Sequence, residues 1–120
     1  MQELIINENN IKDKIYTIRN LQVMLDKDLA ELYGVETKRI NEAVKNNQDK
    51  FQDDFYFELS DYEFEDLRSK FSTANFSKTR INPKVFTEQG IYMLATILKS
   101  KIASQVTVYI IKTFANLRKI

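Results

Sequence analysis

Gly34 divides the stretch Met24 to Asn47, MLDKDLAELYGVETKRINEAVKNN, into two short amphipathic runs. In the first run Leu29, Ala30, Leu32 and Tyr33 supply an apolar face. Asp26 is placed to cap that helix, and Asp28 adds negative charge to its first turn, where the helix dipole favours it. Gly34 stands where a left-handed helix terminus needs a residue without a Cβ, and Val35 is expected to plug the turn. Glu36 or Thr37 then caps a second helix running to about Asn46. Its inward stripe is Ile40, Ala43 and Val44, three and four residues apart. Its outward set is Thr37, Lys38, Arg39, Asn41, Glu42 and Lys45. A small residue at Ala30, glycine at Gly34 and an aliphatic at Ile40 follow the spacing of a helix-turn-helix. An ordinary helical hairpin gives the same pattern.

If the second helix stands clear of the core, it is shaped for a major groove. Arg39 and Lys38 suit guanine or phosphate, and Asn41 suits adenine. Thr37 sits at the helix amino end, where a phosphate is favoured, and Lys45 adds a further contact.

The remaining chain supplies a frame for this pair. Residues 1–13 are polar with a small apolar patch and are expected to form a flexible arm. Lys14 to Arg19 alternates and is rich in β-branched residues, which predicts a strand with Ile15 and Ile18 toward the core. Asn20 to Leu25 reads as a connector with apolar anchors. Phe51 is a core anchor. Asp54 to Leu59 alternates strictly, predicting a strand with Phe55, Phe57 and Leu59 on one face and Tyr56 on the other. Ser60 and Glu63 form a capping box, so a helix starts at Asp61 and carries Phe64, Leu67 and Phe71. A polar loop, Ser72 to Asn82, holds Lys78 and Arg80. Val85 and Phe86 are expected to pair with the earlier strand. Thr87 caps a helix to about Lys99, and Ser100 caps a last, long helix that is apolar on more than one side. Such a helix is central to the core or covered by a second chain.

The 120 residues set one domain as the default, and 43% apolar composition allows a real core. Glycine and proline are scarce and histidine and cysteine are absent. Disulfides, thiolate chemistry and the commonest general base are therefore excluded. Net charge is only +1, but residues 67–120 carry Glu88 as their single acid. Asymmetry of that kind can build a basic face on a neutral protein, or simply give solvated helix faces. Asp53, Asp54 and Glu58 read as a solvated or ion-paired set rather than a metal site. Thr87 and Glu88 read as cap and first-turn acid rather than as catalytic groups.

Taken together, Ile18-Arg19, the run from Val23 to Asn46, Phe51, Asp54-Phe55, Phe57 to Leu59 and the block Val85-Phe-Thr-Glu-Gln-Gly90 resemble the phage KilA-N-like superfamily. The similar branch is the one named for the amino-terminal domain of phage open reading frame six. That resemblance implies a small DNA-binding domain of phages and mobile elements, whose relatives include antirepressors and other regulators.

The expected fold is therefore α+β, mainly helical, with a helix-turn-helix, a small antiparallel sheet and a long C-terminal helix. Residues 14–120 form the domain. The expected function is DNA binding in a regulator or antirepressor, without enzyme activity and without a cofactor. The contacts would be Thr37, Lys38, Arg39, Asn41, Lys45, Lys78 and Arg80. The expected partners are double-stranded DNA and a second copy through the last helix, in the cytoplasm and away from membranes. The alternative is an interaction module that binds a repressor or host protein and no DNA.

Overall fold

The computed structural model describes residues 11–70 and 81–118. Four antiparallel strands form one sheet in the order β1-β2-β4-β3. They are β1 (Ile15–Ile18), β2 (Leu21–Leu25), β3 (Tyr56–Glu58) and β4 (Lys84–Thr87). Five helices complete the described fold: α1 (Asp26–Tyr33), α2 (Thr37–Lys45), α3 (Asp61–Lys70), α4 (Glu88–Leu98) and α5 (Lys101–Leu117). A 3-10 turn at Gln48–Lys50 follows α2. The domain is thus α+β and mainly helical, with the long C-terminal helix that the sequence leads one to expect.

The sheet is buried on both faces, and this decides the layering. Strand register aligns Ile15 with Met24, Met24 with Phe86 and Phe86 with Tyr56. That row crosses all four strands and packs into the main core with residues of α1, α2, α4 and α5. The alternate positions, Val23, Leu25, Val85 and Phe57, pack under Phe64 and Leu67 of α3. Helices therefore cover the sheet from both sides, four against one face and α3 against the other. Within the four-helix side, α1 packs on α2 and α5, and α4 packs on the same two. The Tyr33 hydroxyl and Thr107 Oγ1 share a buried 2.8 Å hydrogen bond across α1 and α5.

Two-faced burial explains where the sequence misleads. Asn20 to Leu25 is not a connector, because Leu21–Leu25 forms the internal strand β2. Val23, Met24 and Leu25 are all fully buried, so the run shows no alternation, as expected for a strand with no solvent face. Tyr56 does point opposite to Phe57, but that side is the main core rather than solvent. Its ring meets Phe51 and Phe86 edge-on, with centroids at 6.0 and 4.8 Å. The β1–β2 hairpin closes through Arg19 and Asn20, both at positive φ (57° and 62°). A two-residue hairpin turn requires that geometry, and the absence of glycine hides it. Side-chain contacts offset the conformational cost at Arg19. Its guanidinium lies 4.1 Å over the Phe57 ring and donates to both Glu63 carboxylate oxygens at 2.8 and 3.0 Å.

Helix ends follow the expected capping logic more closely. Glu63 N–H donates to Ser60 Oγ (3.1 Å), while Ser60 N–H donates to Glu63 Oε1 (2.8 Å). Ser100 Oγ accepts from Ala103 N–H at 2.9 Å, and Thr87 Oγ1 accepts from Gly90 N–H. Asp26 departs from expectation: β2 runs straight into α1, Leu25 holds the cap position, and Asp26 is the first helical residue. Of the expected arm, residues 1–10 lie outside the described residues, while Ile11 is fully buried in the main core. Phe71 also lies outside them. Among the described residues no helix is long and apolar enough to cross a membrane.

Thr87 and Gly90 weld α4 to the sheet. Thr87 N–H donates to Phe55 O at 3.1 Å, and its hydroxyl donates to Asp54 O at 2.8 Å. A Cβ added at Gly90 would stand 1.9 Å from Phe55 O. Gly90→Ala must therefore push a backbone carbonyl, and we expect a loss of roughly 3 kcal/mol, at the upper end for overpacking, measured by urea unfolding.

The Glu63 carboxyl is held well below its usual value, to about 2, chiefly by the hydrogen bond from Arg19 and further by the Ser60 bonds. The unfolded chain takes up this proton first, so the stabilisation is complete above about pH 4.5 and disappears as pH falls towards 2. Glu63→Gln keeps the cap and removes the charge. It should cost about 1 kcal/mol at pH 7, as for a partly exposed ion pair, and almost nothing near pH 2. An equal cost at both pH values would show that the charge is not responsible.

Candidate nucleic-acid interface

Helix α1 ends because Gly34 takes the left-handed conformation, with φ 72°. Two backbone bonds close the turn, Gly34 N–H to Glu31 O at 3.3 Å and Val35 N–H to Ala30 O at 3.0 Å. This is a Schellman motif, which satisfies carbonyls the helix end would otherwise leave unpaired. An added Cβ at Gly34 would meet nothing within 4 Å, so the glycine is required by its backbone angle and not by space. Val35 fills the turn only partly and remains 37% exposed.

Helix α2 presents two different sides. Ile40, Ala43 and Val44 are buried in the main core. Lys38, Arg39, Glu42 and Lys45 are exposed, and Thr37 is half-buried at the amino end. Glu36 holds the cap position but makes no side-chain cap bond, and the first turn contains no acid. The amino end of α2 opens on a groove of about 350 Å³ bordered by Asp26, Lys27, Thr37, Asn82 and Lys84, with the exposed Glu36 at the cap.

Asn41 shares the sequence position of a reader but is held from inside. Its Nδ2 donates to Asp26 Oδ2 at 2.9 Å and to Thr37 O at 3.4 Å. Its Oδ1 accepts from the Tyr56 hydroxyl at 3.0 Å. Asp26 Oδ1 in turn accepts from Lys27 N–H at 2.8 Å. Burial, then the Asp26 and Glu58 carboxylates, push the Tyr56 hydroxyl upward, so it remains a donor. Nothing in the sequence links Asp26 to Asn41; Tyr56 reads there as a core or rim aromatic, which its ring contacts bear out.

The basic bias of the carboxy-terminal half is compensated in part: Lys99, Lys101 and Lys112 have no ion-pair partner among the described residues, whereas four other bases do. Arg68 pairs with Glu65, Lys70 with Asp66, Lys84 with Glu58 and Arg118 with Glu88. Those bases are answered locally. Lys38, Arg39 and Lys45 have no ion-pair partner among the described residues, so the uncompensated positive charge near the site belongs to α2. The structure brings Thr37, Lys38, Arg39, Asn41 and Lys45 onto one helix; Lys78 and Arg80 lie outside the described residues.

The family model of the ORF6N domain matches residues 13–97. The chain belongs to the ORF6N domain family. The match runs from just before β1 to the end of α4 and includes the whole α1–α2 pair. This is the phage open-reading-frame-six amino-terminal, KilA-N-like family, a phage-type domain associated with DNA binding. No curated protein and no solved structure matches the chain. In the ORF6N domain the Phe-Thr-Glu-Gln-Gly block is explained by architecture: Phe86 is core, Thr87 caps α4, Glu88 meets Arg118, and Gly90 admits Phe55.

Proposed function

We propose that this ORF6N domain binds double-stranded DNA with α2 in the major groove, as part of a transcriptional regulator or antirepressor of a phage or mobile element. The observation that carries the reading is the outward side of α2. Three bases stand there exposed and unpaired, on a helix whose other side is fixed in the core. Arg39 and Lys38 would meet base edges or phosphate, Lys45 phosphate, and Thr37 the phosphate nearest the helix amino end. Lys78 and Arg80 would add backbone contacts.

Glu36 and Glu42 are exposed close to these bases. They favour, as a second reading, a repressor or host protein as the partner of the same face.

A second copy is proposed on the outward side of α5. Ile102, Val108 and Tyr109 are large apolar residues exposed there, between 48% and 52%, and Tyr92 of the neighbouring α4 is 61% exposed. Because α2 and α5 each pack on α1 and α4, they lie across the core from one another. A dimer joined through α5 would carry its two α2 helices on its outer flanks. Its half-sites would then stand more than one helical turn, about 34–36 Å, apart.

Arg39→Ala should weaken binding to an operator selected from random duplexes by roughly 1–3 kcal/mol, and wild-type affinity should fall steeply with added salt through counterion release. A flat salt response, with capture of one protein and no DNA, would favour the second reading. Val108→Glu should convert the dimer to a monomer in sedimentation. An unchanged sedimentation coefficient would remove α5 as the interface.

A further inference from the structure

Resting on the DNA-binding reading of α2, we infer that Asn41 does not read a base: with Asp26 and Tyr56 it fixes the rotational setting of α2, and so decides which side chains face the groove. An asparagine amide carries two donor hydrogens and one acceptor oxygen. Both hydrogens are engaged, with Asp26 Oδ2 and Thr37 O, and the oxygen already accepts from Tyr56. Pairing with adenine in the usual two-bond manner requires one donor and the acceptor. It would take a hydrogen bond away from Asp26, which is only 6% exposed, or from the Thr37 carbonyl. Leaving the buried Asp26 side chain short of a partner opposes the first exchange.

Two of the three bonds leave the helix: Asp26 begins α1 and Tyr56 opens β3, while the Thr37 carbonyl lies one turn back on α2 itself. The Tyr56 ring is fixed by its edge contacts with Phe51 and Phe86, so its hydroxyl is a stationary reference point. Helix α2 has nine residues and buries three side chains, Ile40, Ala43 and Val44. Apolar packing is non-directional and tolerates small rotations, whereas hydrogen bonds weaken steeply with angle. The Asn41 amide therefore supplies the angular restraint that the greasy stripe lacks. Lys38, Asn41 and Lys45 fall three and four residues apart, on one flank of the helix. Holding Asn41 holds the direction of both lysines.

The test compares wild type, Tyr56→Phe, Asn41→Ala and the double variant, each shown folded at the assay temperature by its melting curve. Each is measured on the selected operator, on single-base variants of it and across salt. Both single variants should lose about three- to tenfold in operator affinity, the size of one hydrogen bond. The loss should spread over the whole half-site and leave the salt slope unchanged. The double variant should lose no more than Asn41→Ala alone, because the two side chains act as one unit. Two results overturn the inference: Asn41→Ala relaxing selection at a single base pair while Tyr56→Phe changes nothing, or operator affinity unchanged in both. A wild type that selects no sequence removes the DNA reading itself. That failure is visible before any variant is compared, and the inference falls with it.

Discussion

Everything in this domain is arranged around a four-stranded sheet whose central strands, β2 and β4, meet helices on both faces. The row Ile15, Met24, Phe86 and Tyr56 on one side, and Val23, Leu25, Val85 and Phe57 on the other, must each find a cover. One short helix, α3, suffices for the smaller face. The larger face needs α1, α2, α4 and α5 together. That demand presses a nine-residue helix, α2, into service as a core element although its length alone would leave it marginal in water.

Recruiting α2 in this way leaves it little freedom. Its inward stripe is tied to the main core, its start follows the Schellman turn at Gly34, and its polar flank is bound to Asp26 and Tyr56. What remains outward is a small set of charged side chains on a firmly seated rod. Such a surface has its backbone fixed in advance, so that binding a rigid partner costs order only in the side chains. Elsewhere among the described residues, Arg68, Lys70, Lys84 and Arg118 each face a carboxylate, while Lys99, Lys101 and Lys112 stand exposed without one.

Sequence reading succeeded where the governing interactions are local. The Ser60–Glu63 box, the Thr87 and Ser100 caps, Gly34 and the Ile40–Ala43–Val44 stripe all depend on residues within four positions of one another. It failed where the tertiary environment removes the pattern. Leu21 to Leu25 lost its alternation because both faces are buried, and the Arg19–Asn20 turn contains no glycine, with the positive φ of Arg19 offset by distant contacts with Glu63 and Phe57. At the candidate site, the charged outward face was legible from helical period alone. The Asp26–Asn41–Tyr56 chain was not, since each link spans 15 positions and joins different elements.

The boundaries of the family match and those of the packed body do not coincide. The match stops at residue 97, yet Ala103, Val106, Ile110 and Phe114 of α5 are at most 1% exposed, and Ile11 is buried ahead of its start. The cooperative unit is therefore longer than the stretch by which the family is recognised. A fragment cut at residues 13 and 97 would uncover the side of α1 and α4 on which α5 rests. Such a fragment would keep the signature of the family but expose apolar surface that this chain buries under α5 and Ile11.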